Sequence, residues 1–471
     1  MDTPICDYLK EYSNSNSVRL HMPGHKGICI DEPSYSCDIT EIDGADNLWD
    51  AQDIIKKSTI NASILFGCHT FYSTGGSTLC IQGMLTCLKK WSVINNKNSL
   101  ILAGRNAHKS FINAAALLGM DISWIMPLVN EGYESCTITA SYLDSYFSNC
   151  SVGDFPVAVY VTSPDYLGNI LDINALAYIC HKYNVFLIVD NAHGAYLKFL
   201  DRSMHPIDLG ADMCCDSAHK TLPVLTGGAY LHISNNMDSY FADNIMTSMS
   251  IWGSSSPSYL IMASLDKCNR YLDKCVRAAI EHSDYELSIC SIANKVMMLK
   301  DFLNSKGFTL IGDEPLKITI KLMSEDLLMK FVGGMVSNKI VPEYYDRDKV
   351  VLMFSAFNSA EHIERLVDYI NDFANNNEII KICPINDTYK VDVMDRQKLP
   401  NVILSPQEVM YSDTEYVAKE QAVGRVLATP LVSTPPCVPL FVYGEQIDER
   451  ILEYDYDRIC VVKSNNELIK E

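Results

Sequence analysis

Between about residue 60 and residue 235 the chain alternates short β-rich runs with stretches of helical character, and nothing else in it constrains the fold as strongly. The runs are His69–Ser73, Leu100–Ala103, Val157–Thr162, Val185–Val189 and Gly228–Ile233. Strands that alternate with helices imply an α/β domain with a parallel or mixed sheet. In open α/β sheets the ligand lies beyond the carboxyl ends of the strands. Ser73, Arg105, Ser163 and Asp190 all fall at such ends, so the chemistry is expected along one edge.

The 471 residues allow two or three domains, and 48% hydrophobic with 20% charged residues is an ordinary globular composition. We expect a major domain over residues 1–306 and a smaller α+β region over 307–471. A helical segment around Tyr259 to Glu286 leads out of the first, and the strand-like Pro315–Leu322 opens the second. A helix is predicted from Ser359, because Ile363, Leu366, Val367 and Ile370 repeat at helical spacing. After a polar stretch from Asn375 to Leu404, Ser405-Pro406-Gln407-Glu408 reads as a capping box with proline at the first helical position. A net charge of −20 disfavours nucleic acid and anionic membranes as partners, and weakly attracts cationic small molecules. No apolar run is long enough to cross a bilayer. The seventeen cysteines are scattered without a C-x-x-C pair, and Met1-Asp2-Thr3-Pro4 lacks the features of a signal peptide. A reducing cytoplasm is the expected location, and no metal site is expected.

The run Val185–Asp190 ends in a carboxylate, and Lys220 follows thirty residues later within Ser217-Ala218-His219-Lys220-Thr221. Pyridoxal phosphate (PLP) needs an amine for its aldehyde, a carboxylate for its ring nitrogen and a cradle for its phosphate. Lys220 and Asp190 supply the first two. Thr74-Gly75-Gly76-Ser77-Thr78, between a strand and a helix, offers amides and hydroxyls as the third, although a tight turn alone would account for both glycines. His108, in the next strand-to-helix turn, is placed to lie flat on a pyridine ring. His193 follows Asp190 by three residues and is placed to hydrogen-bond around the same site. Ser217 and His219 flank Lys220, either as phosphate contacts or, for His219, as a general acid.

These segments resemble the successive signatures of the fold-type I Orn/Lys/Arg decarboxylases. The resemblance runs through His21-Met22-Pro23-Gly24-His25-Lys26-Gly27, Asp38-Ile39-Thr40-Glu41, Asp43-Gly44-Ala45-Asp46-Asn47-Leu48 and Arg105-Asn106-Ala107-His108-Lys109-Ser110. It continues through Asp190-Asn191-Ala192-His193-Gly194, the Lys220 segment, Ser256-Pro257-Ser258-Tyr259, Ala263-Ser264-Leu265-Asp266, Pro435-Pro436 and Gly444-Glu445. The chain departs from the pattern at Gly75, where asparagine is common, at Asn191, where glutamate is common, and at Thr434 and Cys437 around the proline pair.

The resemblance implies a fold-type I PLP-dependent major domain with Lys220 as the Schiff-base lysine, Asp190 on the ring nitrogen and His108 stacked on the ring. It gives phosphate contacts to Gly76, Ser77, Thr78, Ser217 and His219. It also implies at least a homodimer, with Ser255 and Ser256 of one subunit near the phosphate held by the other. The chain is similar to the short form, without the receiver-like N-terminal domain of longer members. The expected reaction is decarboxylation of a basic amino acid, arginine ahead of lysine and ornithine, to a polyamine-pathway amine. Another fold-type I activity, such as an aminotransferase or an aldolase-like lyase, would use the same Lys220 and Asp190, and a noncatalytic regulatory homologue would keep the fold. Among acidic residues not assigned to the cofactor, Glu445 is the first candidate for the substrate's distal charge, followed by Asp43 and Asp46.

Overall fold

The computed structural model describes residues 1–15, 17–28, 35–151, 153–281, 283, 287–379, 395–432 and 437–463. The strands of its largest sheet are β1 (His69–Ser73), β2 (Ile101–Gly104), β3 (Ile122–Ile125), β4 (Ala158–Thr162), β5 (Phe186–Asp190), β6 (Met213–Asp216) and β7 (Ala229–Ile233). Their order is β1-β7-β6-β5-β4-β2-β3. All five expected runs are present, and β3 and β6 are additional. The chain divides into two compact units, 1–80 with 163–174 and 189–390, and 81–162 with 175–188 and 391–471.

In the first unit β7 runs antiparallel to both β1 and β6, with Tyr72 opposite Tyr230 and Cys215 opposite Leu231. β6 and β7 are buried along their whole length. Phe66, Tyr72, Tyr230 and Tyr259 belong to one core cluster, to which the helix Tyr259–Glu281 contributes Met262, Leu265, Cys268 and Leu272. The unit also holds an antiparallel sheet of β8 (Thr309–Ile311), β9 (Lys317–Lys321), β10 (Tyr344–Tyr345) and β11 (Lys349–Met353), in the order β10-β11-β9-β8. The helix expected from Ser359 spans Ala360–Asn376 and buries Leu366 and Ile370. Ser359 caps it, with the His362 side chain completing the box where glutamate or glutamine is usual.

In the second unit β2 pairs in parallel with both β3 and β4. Its last segment carries two small antiparallel pairs, Thr414–Ala418 with Arg458–Val462 and Leu431–Val432 with Pro439–Phe441. Ser405 and Glu408 form the expected capping box before the short helix Pro406–Met410. Half of the polar stretch from Asn375 to Leu404, residues 380–394, lies outside the described residues. No described helix is long and apolar enough to cross a membrane.

Candidate active site

In the first unit the ends of β5 and β6 bring the expected lysine and aspartate into one region. Asp190 is the last residue of β5 and is 2% exposed. Its Oδ1 accepts the Ala192 N–H at 3.2 Å, so the turn after the strand folds back onto the carboxylate. Lys220 lies in the one-turn helix Ala218–Thr221 that follows β6, and its Nζ is 3.0 Å from His193 Nε2. The lysine keeps accessible surface although protein crowds around it. Burial pushes its amine below the ordinary lysine range, while Asp190 opposes the shift and Lys317 adds to it. An amine held in this way loses its proton more readily, as attack on an aldehyde requires.

Ser217, at the N-terminal end of that turn, is 1% exposed and its Oγ donates to Ser77 Oγ at 2.9 Å. Ser77 and Thr78 lie in the first turn of the helix Gly76–Ile94, where backbone N–H groups have no partner within the helix. Gly76 has φ +68°, and a Cβ there would meet nothing within 4 Å. Its own N–H donates to Gly227 O at 2.7 Å. Gly227, at φ +93°, brings its backbone against Thr74 O, where a side chain would crowd the contact at 3.2 Å. His219 is held by Gly228, whose oxygen accepts both its backbone N–H and its Nδ1–H, at 3.2 and 3.0 Å. Burial lowers its imidazole below the usual range despite the Gly228 bond, and Lys220 contributes to the shift.

His193 is buried and makes an edge-to-face contact with Tyr166, ring centroids 5.5 Å apart. The Tyr166 hydroxyl donates to Glu343 Oε1 at 3.3 Å. Glu343 is exposed beside the edge strand β10, and its charge is near enough to act on Lys220. Sequence reasoning missed it, because the link through Tyr166 spans 177 positions and Ile340-Val341-Pro342-Glu343 carries no local motif.

In the second unit His108 caps the helix Lys109–Leu118, accepting the Ser110 N–H on Nδ1. Its proton in the neutral ring is therefore on Nε2. Ser255 and Ser256 lie in an exposed loop of the first unit.

Of the acidic candidates, Glu445 and Asp46 have carboxylates already engaged within the protein. Glu445 is fully buried in the second unit, with Oε2 3.2 Å from Arg105 Nη2 and accepting the Val442 N–H at 2.8 Å. Burial raises its carboxyl against the pull of Arg105. With no accessible surface and its charge already matched, it is a structural ion pair. Asp46 is structural as well, accepting the amides of Asn47 and Gln52 on Oδ1 and those of Asp53 and Ile55 on Oδ2. Asp43 is exposed, and its backbone oxygen accepts the Tyr8 hydroxyl. Thr434, Pro435 and Pro436 lie outside the described residues.

The residues present fit a phosphorylated pyridine aldehyde. A lysine with a depressed pKa, a buried strand-end carboxylate and paired hydroxyls at a helix start beside open space match its three anchoring groups. Fold and site together define a fold-type I PLP-dependent enzyme.

The comparisons narrow this class. The model of the Orn/Lys/Arg decarboxylase major domain matches residues 3–283, and that of the C-terminal domain of the same family matches residues 392–457. The chain belongs to the Orn/Lys/Arg decarboxylases, PLP-dependent amino-acid decarboxylases. It is 28% identical to the Bacillus subtilis protein YaaO, over 96% of this chain and 93% of that one. It is 27% identical to an arginine decarboxylase of Bacillus subtilis, over 97% and 94%. The lysine decarboxylase LdcF of Francisella novicida has a similar fold, with a TM-score of 0.71 at 17% identity, covering 98% of this chain and 81% of that one.

Proposed function

We propose that this decarboxylase acts on arginine in preference to lysine or ornithine, releasing agmatine and carbon dioxide. The arrangement of Lys220, His193, Tyr166 and Glu343 carries the reading, because it places an exposed carboxylate within electrostatic range of the reactive amine. Arginine decarboxylases among the relatives support the ranking. A guanidinium also donates two parallel hydrogen bonds to a carboxylate, where an ammonium makes a point contact.

Lys220 would hold PLP through its amine, Asp190 would keep a proton on the ring nitrogen, and Ser77, Thr78, Ser217 and His219 would hold the phosphate. His108 would stack on the ring. Bound there, PLP supplies an electron sink for the pair left when the bond from Cα to the carboxylate breaks. The protein selects that bond by orientation. Glu343 would fix the distal cation, and with both ends of the substrate held its carboxylate would be oriented as the group to be lost. Lys220 accepts or returns a proton as substrate enters and product leaves, and His193 at 3.0 Å is placed to carry that proton. The reading extends to a cytoplasmic homodimer serving amine synthesis.

The test is parallel measurement of amine and carbon dioxide from arginine, lysine and ornithine, together with borohydride reduction and peptide mapping. Arginine should give the highest kcat/KM, and the reduced pyridoxyl group should map to Lys220. Label on another lysine removes the assigned site. Transamination without carbon dioxide release from any of the three substrates rejects the reaction.

A further inference from the structure

Behind the site, in the first unit, lies a polar cluster that the reaction does not use. Asp216, the last residue of β6, has no exposed surface. Its Oδ2 accepts from His205 Nε2 at 3.1 Å and His232 Nε2 at 3.2 Å, and its Oδ1 accepts from Asn191 Nδ2 at 2.6 Å. Both histidines are fully buried, and His232 Nδ1 is 3.0 Å from Thr70 Oγ1. The cluster therefore joins side chains from β1, β6, β7 and the turn after β5. Burial works against its charge, but His205 and His232 hold the Asp216 carboxyl well below the usual carboxylate range. Burying a carboxylate and two imidazoles costs more than an apolar core of similar volume, so stability alone gives no reason for the arrangement.

Its position gives one. Asn191 directly follows Asp190, and Asp216 directly precedes the Ser217–Lys220 turn. The Asn191 side chain is the hydrogen bond from the Asp190 turn to Asp216, and the Asn191 N–H adds a second tie to Cys215 O at 3.0 Å. A pyridine ring is rigid, so the carboxylate at its nitrogen and the lysine at its aldehyde must keep a fixed separation. We propose that Asp216, anchored by His205 and His232, is a positioning residue that sets Asp190 against Lys220 through its bond to Asn191. The inference rests on the reading of Asp190 and Lys220 given above.

The experiment uses PLP-loaded protein and three variants: Asn191→Ala, Asp216→Asn, and Asn191→Asp combined with Asp216→Asn. The double variant rebuilds the bond with its polarity reversed. Each is measured for melting temperature, PLP affinity of the apo-protein, the pH profile of cofactor absorbance, and kcat and KM. Asn191→Ala leaves the two imidazole bonds intact but removes the donor to Asp216 Oδ1, so it should still fold, with a melting temperature modestly below the parental one. Its kcat should fall by about ten- to hundred-fold, the scale of a misplaced reacting group, with KM nearly constant and the absorbance profile shifted. The double variant should recover part of the kcat and PLP affinity that Asp216→Asn loses. An Asn191→Ala protein with parental kcat, PLP affinity and pH profile overturns the proposal, and it decides the case if the Asp216 variants do not fold. A folded double variant no better than Asp216→Asn overturns it too. Failure of the parental protein to carry PLP on Lys220 is a different result, and removes the site assignment itself.

Discussion

Lys220 is exposed enough to react and crowded enough to lose its proton early, and its neighbours pull in opposite directions. Asp190 and Glu343 favour its charged form, while burial and Lys317 disfavour it. Because the folded-state pKa is depressed, the neutral amine accumulates as pH rises through a value below the ordinary lysine range. In Asp190→Ala that midpoint should move lower still, since the first opposing charge is gone. Stopped-flow PLP incorporation into apo-protein across pH measures it. The same variant should retain PLP through Lys220 and the phosphate cradle while losing most turnover, and near-parental decarboxylation at saturating PLP would contradict the role of Asp190. Glu343→Gln should raise KM for the basic substrate by about ten- to hundred-fold, the worth of one charge-assisted hydrogen bond, with less change in kcat and an unchanged cofactor spectrum. Steady-state kinetics on arginine check this. Glu445 shows why the sequence pointed elsewhere: its motif marks it as important, but only the fold shows Arg105 beside it in a fully buried pair.

At the scale of elements, the strands that could be read were those rich in β-branched and aromatic residues, such as Val157–Thr162 and Val185–Val189. β6 reads Met-Cys-Cys-Asp and β3 reads Ile-Ser-Trp-Ile, each four residues long, too short and too mixed to stand out before their neighbours are known. The Lys220 and Asp190 segments were legible because each is contiguous in sequence. Glu343 and the cluster around Asp216 were not, because every bond that defines them crosses between elements. The loop after Asp46 shows an element built by one side chain. Burial opposes the Asp46 charge, yet the amides of Gln52, Asn47, Asp53 and Ile55 outweigh it and hold the carboxyl below its usual range. A depressed carboxylate contributes stability above the unfolded-state pKa, and that contribution is lost as pH falls through the folded-state pKa. Asp46→Asn should therefore cost about 1–2 kcal/mol at neutral pH, the scale of a lost helix cap. The gap in melting temperature from the parental protein should narrow as the pH drops below the ordinary carboxylate range. A gap independent of pH would mean that the side chain acts by shape alone.

For the whole molecule, one part of the proposed site lies in an exposed loop. Ser254, Ser255 and Ser256 are exposed, yet the loop that carries them is held: Trp49 Nε1 donates to Ser254 O at 2.9 Å, and the Ser256 N–H donates to Ser254 Oγ at 3.1 Å. A restrained, exposed loop that carries the Ser255 and Ser256 hydroxyls is suited to donate to a group held by a second copy. In a symmetric dimer the contribution is reciprocal, so each phosphate would be held by both subunits. Sedimentation of the PLP-loaded protein should give a dimer or a multiple of it. The sharing itself is tested with two inactive proteins, Lys220→Ala and a Ser255→Glu, Ser256→Glu variant whose carboxylates repel the partner's phosphate. Mixed and reassembled in equal amounts, half of the dimers are hybrids, and each hybrid joins the intact lysine of one subunit to the intact serines of the other at one of its two sites. About a quarter of the parental activity should return. If the serines served the phosphate of their own chain, each hybrid subunit would carry its own defect and no activity would return on mixing.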